Sequence, residues 1–175
     1  MAKRVFDLLA ASLGLLLLLL LPGLLLALLI KLDSPGPVFF RQTRVGRHGR
    51  EFRIHKLRTM RVDAATQGGL LTVGADPRIT RLGAFLRAHR LDELAQLIDV
   101  LRGDMSLVGP RPEVPRYVAH YPAALRAQVL AVRPGITDPS SLAFRNEGEQ
   151  LAAAADPERE YIEVILPAKL ACAAD

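Results

Sequence analysis

The hydrophobic pattern divides the chain sharply. From Leu8 to Ile30 no residue is charged, a run that as a helix would be roughly 35 Å long, enough to cross a bilayer core. Pro22-Gly23 interrupts it, and a proline inside a helix removes a donor and crowds the preceding turn, so the run is expected to kink or break near Leu18–Leu21. Lys3 and Arg4 precede the run, while Lys31, Arg41, Arg44 and Arg47 follow it. Cationic flanks at both ends draw both to the cytoplasmic side. A helix that enters, bends at Pro22 and returns satisfies both flanks. A secretory signal is the rival reading, but the run is longer than such an apolar region. Lys31-Leu32-Asp33-Ser34-Pro35 also follows it without a small-residue cleavage site.

Beyond residue 33 the period changes. Pro37–Thr43 reads as a strand, Gly46–Gly49 as a turn, and Glu51–His55 alternates polar and apolar as a half-buried strand does. Val62–Ala75, with Gly68, Gly69 and Gly74, reads as a mobile loop. Asp76-Pro77 predicts a helix start, with Ile79, Leu82, Phe85 and Leu86 on its apolar side. A second helix is expected from about Leu91, with Leu94, Leu97, Ile98 and Leu101 on one face and a stop at Arg102-Gly103. Val108–Pro115 carries three prolines and is expected to be irregular. A helix with Leu125, Val129 and Leu130 leads to the turn Arg133-Pro134-Gly135, and Glu158–Lys169 reads as a last helix interrupted by Pro167. The fold class is α+β, mostly helical, with one β-hairpin. Residues 1–32 are expected to form the membrane helix, and residues 33–175 a small domain on the membrane surface.

With 175 residues, there is room for one modest core. The net charge of +5 points to anionic partners. The positive charge concentrates on the hairpin, where Arg41, Arg44, Arg47, Arg50, Arg53 and Lys56 recur every third residue and Arg58 and Arg61 follow. Beside a membrane segment, that surface is expected to lie against anionic headgroups. One cysteine, Cys172, excludes an internal disulfide and a zinc cluster. No phosphate-binding glycine loop, serine elbow or nucleic-acid recognition motif is present. His48, His55, His89 and His120 do not have metal-ligand spacing.

Asp92-Glu93 is the leading chemical candidate. Adjacent carboxylates on a helix diverge by about 100° and do not chelate as an i, i+4 pair, but both can face a cleft near a helix start. Arg87, Arg90, Arg111 and Arg145 offer guanidinium groups for phosphates, and Arg111 is held between two prolines.

Several stretches in order along the chain carry a resemblance. They are Lys31–Gln42 (KLDSPGPVFFRQ), Lys56–Met60 (KLRTM), Asp76–Arg81 (DPRITR), Arg90–Leu97 (RLDELAQL), Gly103–Pro112 (GDMSLVGPRP) and Arg133–Thr137 (RPGIT). In these the chain resembles the monotopic phosphoglycosyl transferases, or bacterial sugar transferases, over most of residues 1–145. The resemblance implies a re-entrant helix at the bacterial inner membrane and a catalytic domain on its cytoplasmic face. It also implies Mg²⁺ and transfer of a phospho-sugar from a UDP-sugar to polyprenol (undecaprenyl) phosphate with release of UMP, initiating glycoconjugate or polysaccharide assembly. On that basis Asp92 is the nucleophile and touches the metal, and Glu93 assists it. Arg87, Arg111 and Arg145 match positions near the phosphates. The sequence departs from the family in three places. Leu21, not serine, precedes Pro22. Ala95 stands where proline is usual. The helical tail expected after Ile165–Leu170 is not found before Asp175. A membrane-tethered module that binds anionic lipid without catalysis is the alternative; it leaves Asp92-Glu93 and Gly103–Pro112 unexplained.

Overall fold

The computed structural model describes residues 2–20, 22–64 and 68–174, with the side chains of Leu19 and Leu20 outside that description. The chain is mostly helical with a small hairpin, and it divides into two compact units. The first comprises Met1–Gln42, Ile54–Leu70 and Asp76–Gly103; the second comprises Thr43–Arg53, Leu71–Ala75 and Asp104–Asp175.

In the first unit the apolar run forms two helices, α1 (Ala2–Leu20) and α2 (Pro22–Asp33). Their axes are bent by 60°. The proline therefore opens α2 as its first residue, where a missing N–H costs nothing. Leu21, which stands before Pro22 in place of the family's serine, lies outside the described residues. Among the described residues no single helix is long and apolar enough to cross a membrane; the bent pair meets that test together by length and composition. Many leucines remain exposed on both helices, Leu9, Leu24 and Leu28 among them.

The hairpin consists of β1 (Phe39–Val45) and β2 (Glu51–Leu57), joined by a 3₁₀ turn at Arg47–Gly49 in which His48 has φ 59°. Both strands run about two residues past their expected ends. Here the basic ladder divides. Arg47, Arg50, Arg53 and Arg61 are exposed, whereas Arg58 is buried. Its guanidinium donates to the carbonyls of Ile30 (3.0 Å) and Pro35 (2.8 Å) and also to that of Ser34. The Ile30 carbonyl in the last turn of α2 also accepts the Ser34 N–H at 3.3 Å, and Ser34 and Pro35 follow the helix end, so Arg58 ties the C-terminal end of α2 to the segment after it.

The expected helix after residue 76 starts later. Asp76 is taken by Arg78, whose Nη2 lies 2.6 Å from Oδ2. Thr80 supplies the cap instead, accepting from the Gly83 N–H at 3.0 Å, and α3 runs Arg81–Ala88. Within the loop read over Val62–Ala75, Ala65–Gln67 lie outside the described residues. The α3 helix crosses the β2 extension so closely that a Cβ on Gly83 would stand 2.0 Å from the Thr59 carbonyl oxygen. Only glycine permits that approach. Arg90, at φ 57°, turns the chain into a 3₁₀ segment (Leu91–Gln96) that continues directly into α4 (Leu97–Arg102). Gly103, at φ 87°, closes α4 as the sequence predicts. Ile30, Leu57, Leu86 and Ala95 form the core of this unit. Across it α1 lies on α4, with Arg4 reaching the Leu101 carbonyl at 3.5 Å.

The second unit contains a feature that local pattern does not reveal. Strands β3 (Ser106–Val108) and β4 (Gly135–Thr137) pair in parallel, Ser106 opposite Gly135 and Val108 opposite Thr137. Gly109 and Gly135 meet so tightly that a Cβ on Gly135 would lie 2.1 Å from the Gly109 nitrogen. Around this pair are the short helices α5 (Pro115–Val118), α6 (Ala123–Val129), α7 (Pro139–Ala143), α8 (Glu147–Ala153) and α9 (Pro157–Glu160). A wide π turn over Tyr161–Ile165 leads into α10 (Leu166–Ala174). Pro167 does not end the helix. The wide turn just before it absorbs the missing bond to the preceding turn. Val114, Tyr117, Leu151, Tyr161 and Leu166 lie in the core, with the Tyr117 and Tyr161 rings 4.8 Å apart. Glu113 accepts the Tyr161 hydroxyl at 2.6 Å and pairs with Arg44 at 3.4 Å. Burial pushes the Tyr117 phenol up to about 12.

Candidate active site

Asp92 and Glu93 stand in the 3₁₀ segment rather than in an α-helix, and both are buried, at 6% and 5% exposure. A buried carboxylate demands a cation or donors, and each of the two acids has its own. Glu93 Oε1 accepts from Lys56 Nζ at 3.0 Å, with Arg90 Nη1 at 3.9 Å. Asp92 lies in the field of Arg87. With three residues per 3₁₀ turn, neighbouring side chains diverge by about 120°; Glu93 reaches Lys56, while both acids lie in the field of Arg87.

Arg87 projects from the last turn of α3, and its Nε donates to Thr59 Oγ1 at 2.9 Å. Burial pulls this guanidinium below its ordinary range, and the negative charges of Asp92, Asp76 and Glu93 oppose that shift. It remains a cation at any physiological pH. Asp76 is held below the usual carboxylate range by its hydrogen bonds from Arg78. The first unit therefore gathers Asp92, Glu93, Arg87, Lys56 and Thr59. Lys56 and Thr59 were legible only as members of a charge ladder and a motif; their positions at and just beyond the end of β2 bring them to Glu93 and Arg87.

Arg111 and Arg145 belong to the second unit. Arg111 is half-buried, between Pro110 and Pro112, and its backbone N–H donates to Asp138 Oδ2 at 3.1 Å. Asp138 also accepts from Ser140 Oγ at 2.8 Å and from the Ser141 N–H at 2.7 Å. Burial would raise the Asp138 carboxyl, but these bonds outweigh it and hold it below the usual range. The loop carrying Arg111 is thus tied down through its backbone. Arg145 is exposed, two residues beyond α7. An open depression lined by His48, Ala123, Arg126, Ala127, Leu130 and Ala131 contains none of the predicted site residues.

Among the described residues no three or more His, Cys, Asp and Glu side chains gather as a metal cluster. The available donors are the carboxylates of Asp92 and Glu93, the second already held by Lys56. That donor set fits Mg²⁺, which binds through one or two carboxylates and completes its shell with water and substrate phosphates.

The Lys56–Glu93 pair makes a direct test. Lys56→Met leaves the Glu93 carboxylate buried with its nearest cation removed and is expected to cost about 1.5–3 kcal/mol. Adding Glu93→Gln should recover part of that loss, as read by thermal unfolding of the four members of a double-mutant cycle. Equal costs of Lys56→Met in both backgrounds would show that the pair is not coupled.

Residues 1–167 match the family described as bacterial sugar transferase. The chain is 50% identical over 138 residues to a UDP-glucose:undecaprenyl-phosphate glucose-1-phosphate transferase of Caulobacter vibrioides, covering 77% of this chain and 51% of that protein. It is 54% identical over 111 residues to an exopolysaccharide production protein of Rhizobium leguminosarum bv. phaseoli, covering 62% of this chain and 54% of that one. A UDP-N-acetylgalactosamine-undecaprenyl-phosphate N-acetylgalactosaminephosphotransferase of Aeromonas hydrophila is 44% identical over 139 residues, with 77% of this chain and 32% of the relative covered. The chain therefore spans between about a third and about a half of these relatives. With nearly its whole length matched and the acidic pair held among cations, the chain belongs to the bacterial sugar transferase family.

Proposed function

We propose that this chain transfers a phospho-sugar from a UDP-sugar to a polyprenol phosphate, releasing UMP, as the first membrane step of polysaccharide or glycoconjugate assembly. The observation that carries the reading is a buried carboxylate, Asp92, in the field of the half-buried Arg87 cation, within a chain matched to the family over residues 1–167. The names of the Caulobacter and Aeromonas relatives supply the substrate classes.

The reaction is a two-step exchange. An oxygen of Asp92 attacks the β-phosphorus of the donor, the bond from that phosphorus to the bridging oxygen breaks, and UMP leaves with the electron pair. An oxygen of the polyprenol phosphate then attacks the same phosphorus, and the Asp92 carboxylate departs. An acyl phosphate preserves the donor's bond energy between the steps, so the whole exchange is close to thermoneutral. A carboxylate is an established kind of nucleophile, but its approach to an anionic phosphate meets charge repulsion. Arg87 offsets that repulsion at Asp92, and Arg111 and Arg145 are the candidates for the donor's phosphates. Glu93, fixed by Lys56, orients Asp92. Mg²⁺ held by Asp92 would neutralise phosphate charge.

Residues 1–32 form the re-entrant membrane segment in this reading. Residues 33–175 lie on the cytoplasmic face of the inner membrane, with the exposed Arg47, Arg50, Arg53 and Arg61 toward anionic lipid.

Asp92→Asn is expected to abolish UMP release and to prevent a labelled sugar from remaining on the protein when donor is supplied without acceptor. Substantial turnover by this variant, or no trappable adduct on the wild type, would favour direct attack by the lipid phosphate. Excess EDTA is expected to stop turnover, and added Mg²⁺ to restore it; full activity in EDTA refutes the metal assignment. For the topology, cysteines at residues 2 and 34 should both be shielded from a membrane-impermeant thiol reagent in intact cells. Labelling of only one of them would mean that the segment crosses the bilayer.

A further inference from the structure

One buried ionisable pair has no part in the chemistry above. Asp99, in α4, is 1% exposed, and both of its oxygens are spent on a single residue of β2. Oδ2 accepts the His55 backbone N–H at 2.8 Å, and Oδ1 lies 2.6 Å from His55 Nδ1. Phe39 meets the other side of the imidazole edge-on, 6.4 Å between ring centroids at 87°. Burial pushes the Asp99 carboxyl above its usual range, against the hydrogen bonds from His55. A buried pair of this kind is a weak source of stability, because apolar residues of similar volume often hold a fold as well or better. Its retention in a core calls for another reason.

Position supplies that reason. His55 and Lys56 are consecutive on β2, and Lys56 holds Glu93 at 3.0 Å. Glu93 and Asp99 lie on one continuous stretch, the 3₁₀ segment and α4. Two adjacent strand residues thus grip that stretch at two points. A single contact would leave the stretch free to pivot, whereas two fix both its height along the strand and its rotation. The two bonds to Asp99 divide that task, the backbone bond fixing the height and the ring bond the orientation. Asp92 lies immediately before the first grip point. We propose that His55 and Asp99 are positioning residues that set the placement of the Asp92-Glu93 segment against β2, so that Asp92 is held at a fixed angle to Arg87. The functional part of this inference rests on the transferase reading.

The test uses the full chain in detergent with UDP-sugar and polyprenol phosphate. Three variants are compared: Asp99→Leu, which removes both bonds; His55→Phe, which keeps a ring beside Phe39 and loses the ring bond; and Asp99→Asn, which still accepts the His55 N–H. Misplacement of a reacting group acts on the chemical step, so Asp99→Leu and His55→Phe are expected to lower kcat about ten-fold with donor KM within about two-fold, and Asp99→Asn to stay within about three-fold of wild type. Amide hydrogen exchange over Leu91–Gln96 should quicken in Asp99→Leu. Wild-type kcat in Asp99→Leu, or a rise in KM alone, overturns the proposal. If Asp99→Leu does not fold, His55→Phe is read by the same two measurements. If the wild type releases no UMP from any UDP-sugar, the transferase reading fails. Hydrogen exchange then decides the positioning role alone, and unchanged exchange over Leu91–Gln96 overturns it.

Discussion

A helix that ends inside a protein leaves its last carbonyls in need of donors. In the first unit Arg58 bonds the Ile30 carbonyl in the last turn of α2 and the Ser34 and Pro35 carbonyls just beyond it. The rest of the unit follows from this placement. Once Arg58 is fixed, its neighbours on the strand point where they must. Lys56 reaches Glu93, Thr59 takes the Arg87 Nε–H, and the Thr59 carbonyl accepts the Thr80 N–H at 3.0 Å and lies under Gly83. A hydrophobic core of Ile30, Leu57, Leu86 and Ala95 supports the same arrangement from the apolar side.

This explains why a run of arginines and lysines that looks uniform in sequence is not uniform in role. The spacing of every third residue suggests a solvated cationic face. A strand of period two inevitably splits such a series between its faces, and residues past the strand end follow neither face. Arg50 and Arg53 stay at the surface, Arg44 bonds the Pro112 carbonyl, and Arg58 is buried. Sequence periodicity reports spacing, but only a partner across the fold determines which of the cations is internal.

Local signals read well where the cause is local. The break at Pro22 and the stop at Gly103 each depend on one residue's backbone preference, and the hairpin turn on His48 and Gly49, both at positive φ. The misreadings arise where a side-chain bond or a distant partner overrides the local pattern. Asp76 has the chemistry of a cap, but a bidentate bond to Arg78 claims it, so Thr80 starts the helix. Leu91–Gln96 has the pattern of an α-helix but is wound as 3₁₀. The β3–β4 pair joins segments 29 positions apart at Ser106 and Gly135, with only three residues in each strand, too short for any periodic signature. In the site, motif residues Asp92, Glu93 and Arg87 were legible. Lys56 and Thr59 needed the strand's path, and the His55–Asp99 pair needed the packing of α4.

The two acids of the site show how one short turn separates two roles. Glu93, bonded to Lys56 and near Arg90, is committed to an internal ion pair, so a cation competing for it would have to displace a lysine. Asp92 lies in the field of the half-buried Arg87, whose guanidinium partial burial pulls below its ordinary range. A cation in that state gains more from a nearby anion than a solvated one does. An anionic phosphate arriving at Asp92 would therefore meet a charge whose desolvation cost was met during folding. In the transferase reading, the same burial that makes the acidic pair costly to the fold would let Arg87 stabilise negative charge where it would otherwise accumulate.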